Sequence, residues 1–210
     1  MLNLLQVSPQ LFFLYIIAIL IALSVHEFAH ALAAYWRGDE TARHLGRLTL
    51  NPWAHVDGLG ALSFLLLGFG WGKPVPVSGR TLKNPRKDFL LIALAGPFSN
   101  LILAILSATA LKLVLLGGLA TNNLLVVFLA ILVSLNLILM MFNLLPLPPL
   151  DGFNLVNYFV PAQYKYQVAR YGYWLFIALL VVSIAGQFSV FGWMYKVVEW
   201  FYALFNLPII

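Results

Sequence analysis

Hydrophobic residues in this chain come in long runs, and the charged positions gather between them. Residues 9–26, 89–111, 113–150 and 171–195 contain no Asp, Glu, Lys or Arg. Each run can supply the 18 or more apolar residues of a membrane-spanning helix, which rises 1.5 Å per residue across about 30 Å of hydrocarbon. The pattern predicts long helices at about 9–36, 86–116, 122–143 and 167–186. The first should end before Gly38, the second bend at Gly96-Pro97, and the third stop at Pro146, Pro148 and Pro149. A short helix is expected after Asp151. Residues 38–57 are polar, and His44 to Leu50 reads as a short strand. Residues 58–72 are apolar but short and hold five glycines, which suits a re-entrant or interfacial segment better than a span. Lys73-Pro74-Val75-Pro76-Val77 reads as an edge strand or loop, because proline cannot donate to a central ladder. Residues 189–206, rich in Trp, Tyr and Phe with Lys196 and Glu199, read as an interfacial helix or another span.

Composition turns these helices into a membrane protein. The chain is 62% hydrophobic and 9% charged, whereas an ordinary soluble domain is roughly 25% charged. Four helices with almost no polar face have no place in a soluble core of 210 residues. The expected fold is therefore an all-α polytopic membrane protein with a small membrane-associated β segment. It forms one domain over residues 1–210. The N-terminus lacks the basic region of a removable signal peptide, and the absence of cysteine excludes thiolate metal sites and disulfides. The net charge of +5 fits membrane orientation rather than nucleic acid, because the basic residues flank the spans. If residues 58–72 do not cross, ten of the twelve basic residues share one face, which the positive-inside rule makes cytoplasmic.

Seven acidic residues and four histidines bound the chemistry. His26-Glu27-Phe28-Ala29-His30 is an H-E-x-x-H motif within the first long helix. A spacing of four puts both imidazoles on one helical face, as a tetrahedral metal requires. Glu27 lies about 100° around the helix, placed to serve a water without ligating. An ionised group in such a helix costs about 2.5–3.5 kcal/mol to insert, so a metal site outweighs a satisfied polar cluster. A third ligand is needed. Asp39, Glu40, Asp57 and Asp88 sit in polar loops and Glu199 near the C-terminus, whereas Asp151 follows three prolines that break a helix at membrane depth. Irregular backbone there must be buried in protein or line a wet cavity. The competing reading of Asp151 is a surface turn helped by Gly152.

These motifs resemble the site-2 protease family of intramembrane metalloproteases. His26-Glu27-x-x-His30 matches its first motif, Asn143-x-x-Pro146-x-Pro148-x-x-Asp151-Gly152 its second, and Gly96-Pro97-x-x-Asn100 is also typical. The likeness runs from about residue 20 to 155 and is to the compact branch without a PDZ domain. It implies a core of three transmembrane helices, a catalytic core at about 9–160 and additional C-terminal helices at about 165–206. It implies one zinc ion per chain held by His26, His30 and Asp151, with Glu27 as catalytic acid/base and Asn143 binding substrate backbone. Asn100 and His55 are accessory candidates, with a solvated loop histidine as the alternative for His55. The implied substrate is a transmembrane segment that unwinds before cleavage, in the plasma membrane with the site toward the cytoplasm. A di-iron oxidase and a non-enzymatic metal carrier are the rivals. The former needs more histidines, and the latter has no need of Glu27.

Overall fold

The computed structural model describes residues 1–186 and 191–209. A short α1 (Leu2–Val7) leads into α2 (Pro9–Trp36), whose start is set by Pro9 at the first helical position and by Ser8, which accepts from the Leu11 amide. After α3 (Thr41–His44) and α4 (Gly58–Leu67) come α5 (Pro85–Leu116) and α6 (Leu124–Asn143). The chain ends with α7 (Phe153–Phe159), α8 (Lys165–Ile184) and α9 (Trp193–Leu204). Among the described residues, α2, α5 and α6 are long and apolar enough to cross a membrane. Pro97 sits inside α5 without ending it.

The three long helices pack on one another. Small residues make that possible: Ala18, Ala22, Ala31 and Ala34 on α2, and Ala104 and Ala108 on α5, are wholly buried. Bilayers give little hydrophobic drive between helices, so close backbone approach through small side chains carries the association. Large apolar side chains face outward instead, including Phe13, Ile17, Ile102, Leu106 and Leu124. At 20 residues α8 is long enough to span, but its first turns carry Lys165, Gln167 and Arg170. The 12 residues of α9 reach only about 18 Å, too short for a span. Its buried face, Met194, Val198, Phe201 and Tyr202, joins the core cluster of α5 and α6. Trp193, Tyr195 and Trp200 stay exposed opposite. Residues 189 and 190 of the expected aromatic helix lie outside the described residues.

The stretch expected to re-enter does return to where it starts. Asp57 caps α4 by accepting from the Gly60 amide at 2.8 Å, and Gly68 ends it with φ of 77°. The chain then runs back so closely that a Cβ on Gly70 would lie 2.3 Å from the Gly60 carbonyl oxygen. Val56 bridges Gly72 in antiparallel fashion, so both ends of the segment lie side by side.

The expected β segment is a correction. Among the described residues no sheet forms; the Val56–Gly72 bridge stands alone. His44 belongs to α3, while residues 45–50 and 73–77 are irregular. Side chains take the backbone groups a ladder would use. Asp39 accepts from the amides of Thr41 (2.9 Å), Ser78 (2.6 Å) and Gly79 (3.2 Å). Arg47 donates to the Lys73 carbonyl, and the Lys73 amide donates to the His55 carbonyl at 2.7 Å. Pro74 and Pro76 have no amide to offer.

Candidate metal centre

Because α2 is helical through residues 26–30, both histidines face α5, where a glycine makes room. A Cβ on Gly96 would lie 2.3 Å from His30 Nε2 and 2.6 Å from His26 Cε1. Each ring is held by its other nitrogen. His26 Nδ1 donates to Asn100 Oδ1 at 2.6 Å, and His30 Nδ1 donates to the Ile92 carbonyl at 2.7 Å. That carbonyl can only accept, which assigns the His30 tautomer with a lone pair on Nε2. Asn100 is oriented in turn: its amide donates to Asn136 Oδ1 at 2.8 Å and to the Ala22 carbonyl at 3.3 Å. The Asn136 amide donates to Leu132 within α6. A buried polar chain therefore links all three long helices and ends on His26.

Asp151 arrives from the turn after α6. The Gly152 amide donates to the Asn143 carbonyl at 2.6 Å, folding the proline-rich loop back on the helix end. Asp151 Oδ2 then lies 3.1 Å from His26 Nε2 and 3.2 Å from His30 Nε2, and the two Nε2 atoms are 3.0 Å apart. Three acceptors converge on one point. A tetrahedral zinc with bonds of about 2.0–2.1 Å has ligand–ligand edges of about 3.3 Å. The donor set and its spacing fit zinc. His26 and His30 are buried and Asp151 is partly open.

A cavity of about 1000 Å³ reaches this point. Its walls include Glu27, Asn143, Pro74 and Val77, and it is flanked by Phe176 and Ile177 of α8. Glu27 is buried beside the extended segment, since a Cβ on Gly72 would be 3.4 Å from its Oε1. The Asn143 amide donates to Leu139 at 3.0 Å within its own helix. His55 is fully buried rather than solvated and bonds the Thr49 carbonyl through Nε2 at 2.7 Å. It shapes the loop behind Gly72 and Lys73 and is not among the three converging groups.

Beyond Asn100, sequence reasoning missed the groups that hold these residues, Ile92, Asn136 and Arg47 among them. Arg47 is buried, its pKa lowered by that burial and partly restored by the Glu27 charge. It fixes the Lys73 carbonyl next to the cavity wall. The asparagine of an otherwise apolar helix, Asn136, was the available signal, whereas Arg47 lies in a polar loop that gave none.

The sequence model of peptidase family M50 matches residues 14–118 and 113–184. "Putative zinc metalloprotease YwhC" of Bacillus subtilis is 42% identical over 176 residues, covering 80% of each chain. "Putative zinc metalloprotease Rip2" of Mycobacterium tuberculosis is 34% identical over 198 residues, covering 88% of this chain and 71% of the relative. The protein of that name from Mycolicibacterium smegmatis is 30% identical over 204 residues, covering 91% of this chain and 73% of the relative. No solved structure matches the chain.

Proposed function

The chain belongs to peptidase family M50, the site-2 protease family, and from that premise we propose that this membrane metalloprotease cleaves peptide bonds within or beside transmembrane segments of other membrane proteins. The observation that carries the proposal is the convergence of His26, His30 and Asp151 at 3.0–3.2 Å in a cavity walled by the long apolar helices. His26, His30 and Asp151 hold zinc in this reading, and the metal supplies a Lewis acid for a peptide carbonyl and for a water. Glu27 takes the proton of the attacking water and returns it to the leaving amine. Its carboxylate sits one residue from His26 but faces the Gly72 side of the cavity, which leaves it available for proton transfer rather than ligation. Asn143 offers its side-chain oxygen to a substrate N–H from the opposite wall. Asn100, through His26, is a positioning residue. In this reading the site lies on the cytoplasmic side of the plasma membrane, an orientation supported by the ten basic residues that run from the end of α2 to the first turn of α5 and recur at the start of α8.

A helical substrate hides its carbonyls in internal hydrogen bonds, so it must unwind before hydrolysis. Glycine weakens a helix by about 0.8–1.0 kcal/mol relative to alanine and proline by about 3, and the order should carry over to a span. The test is a purified, zinc-loaded enzyme in lipid vesicles with designed single-span reporters. Gly- or Pro-containing spans should be cut faster than all-leucine ones, and a zinc chelator should stop both. Equal rates across the series contradict the unwinding step, and chelator-resistant cleavage contradicts the metalloprotease.

A further inference from the structure

A second, polar cleft of about 410 Å³ opens where the first turn of α5 meets α7 and the start of α8. Arg86 and Lys165 line it together with Asn154, Asn157, Tyr158 and Phe89. Its electrostatics are one-sided. Arg86 donates through Nε to the Tyr158 carbonyl at 2.6 Å and stacks 5.0 Å from the centre of that ring, which holds the guanidinium at the cleft. Among the described residues neither Arg86 nor Lys165 pairs with a carboxylate. The nearby Asp88 is fully buried and committed to Arg37 and to the Asn84 amide. Both cations also sit at the starts of helices, where the macrodipole disfavours positive charge. The cleft therefore carries two uncompensated positive groups, with two amide side chains beside them. It also touches the catalytic cavity: Phe89 and Asn154 line both.

We propose that this cleft receives an acidic residue in the flank of the substrate segment, so that the enzyme reads a carboxylate outside the membrane while cutting inside it. The inference rests on the proteolytic reading above. The shared wall favours this occupant over a lipid headgroup, because a chain threaded through the catalytic cavity passes Phe89 and Asn154 on its way out. A carboxylate there meets Arg86 and Lys165 as charge-assisted donors.

The test uses full-length enzyme in phosphatidylcholine vesicles, with three single-span reporters that differ only in a flanking Asp-Asp, Asn-Asn or Lys-Lys pair. Wild type should favour Asp-Asp over Lys-Lys in kcat/KM by about fivefold, the size of partly exposed ion pairs, mainly through KM. The preference should shrink as salt rises. Lys165→Glu should reverse the order, and Arg86→Gln should flatten it. Each ratio is taken within one enzyme preparation, so partial misfolding cancels. A ratio near one in wild type, with Asn-Asn still cut, overturns the inference and leaves the protease standing. No cleavage of any reporter overturns both. A flat ratio in phosphatidylcholine, with activity that rises on adding phosphatidylglycerol only while Lys165 is present, assigns the cleft to lipid and overturns the proposal.

Discussion

Gly96 shows how tightly single residues are specified. The imidazoles of His26 and His30 occupy the space where its side chain would stand. Gly96→Ala must push a ring out of place, and Asn100→Ala leaves His26 Nδ1 without its acceptor. Both variants should bind zinc more weakly, by about 10–100-fold for Asn100→Ala, the range typical of groups that orient a ligand. Metal titration of the purified proteins checks this, and affinities equal to wild type would contradict the part given to Gly96 and Asn100 in placing the imidazoles. At this scale the converging groups on α2 were legible because His26, Glu27 and His30 lie within one helical turn. Asp151 was legible because three prolines break a helix just before it. The contacts from Ile92, Asn136 and Gly96 cross between helices, and no local pattern reports them.

Helices were legible to within two residues at most ends, since long apolar runs, Pro9 and Gly117 mark them directly. The loop between α2 and α5 was not. The runs at 44–50 and 73–77 suggested short strands, but the outcome was decided by side chains that reach the backbone from elsewhere. Asp39 is the clearest case. Burial pushes its carboxyl pKa up, yet the hydrogen bonds from Thr41, Gly79 and Ser78 outweigh this and hold it below the ordinary value. A lowered folded-state pKa means that the stabilisation is present above the unfolded value, about 3.9, and is lost as pH falls through the folded one. Asp39→Asn should therefore cost roughly 1.5–3 kcal/mol at neutral pH, as hydrogen bonds to a charged group do. The difference from wild type should narrow in acid below the unfolded value. Unfolding in detergent across that pH range measures both, and a difference that is constant with pH would show that the Asp39 charge has no part.

At the scale of the whole molecule, three helices long and apolar enough to cross a membrane and one returning segment place the converging groups. Because Val56 meets Gly72, the segment between them leaves and returns on one side. The end of α2, the start of α5 and the end of α6 then share a face, and the two motifs, far apart in sequence, arrive at one depth. The positive-inside count favoured that arrangement, and the closed segment supplies its geometry. Glu27 adjoins the converging ligands, which a membrane metal carrier would not require. The most direct measurement is zinc content and reporter cleavage on the same preparations of wild type, Glu27→Gln and Asp151→Ala. The account predicts about one zinc per chain in wild type and in Glu27→Gln, with cleavage in wild type alone, and neither zinc nor cleavage in Asp151→Ala. Cleavage by Glu27→Gln at the wild-type rate, or full zinc in Asp151→Ala, would contradict it.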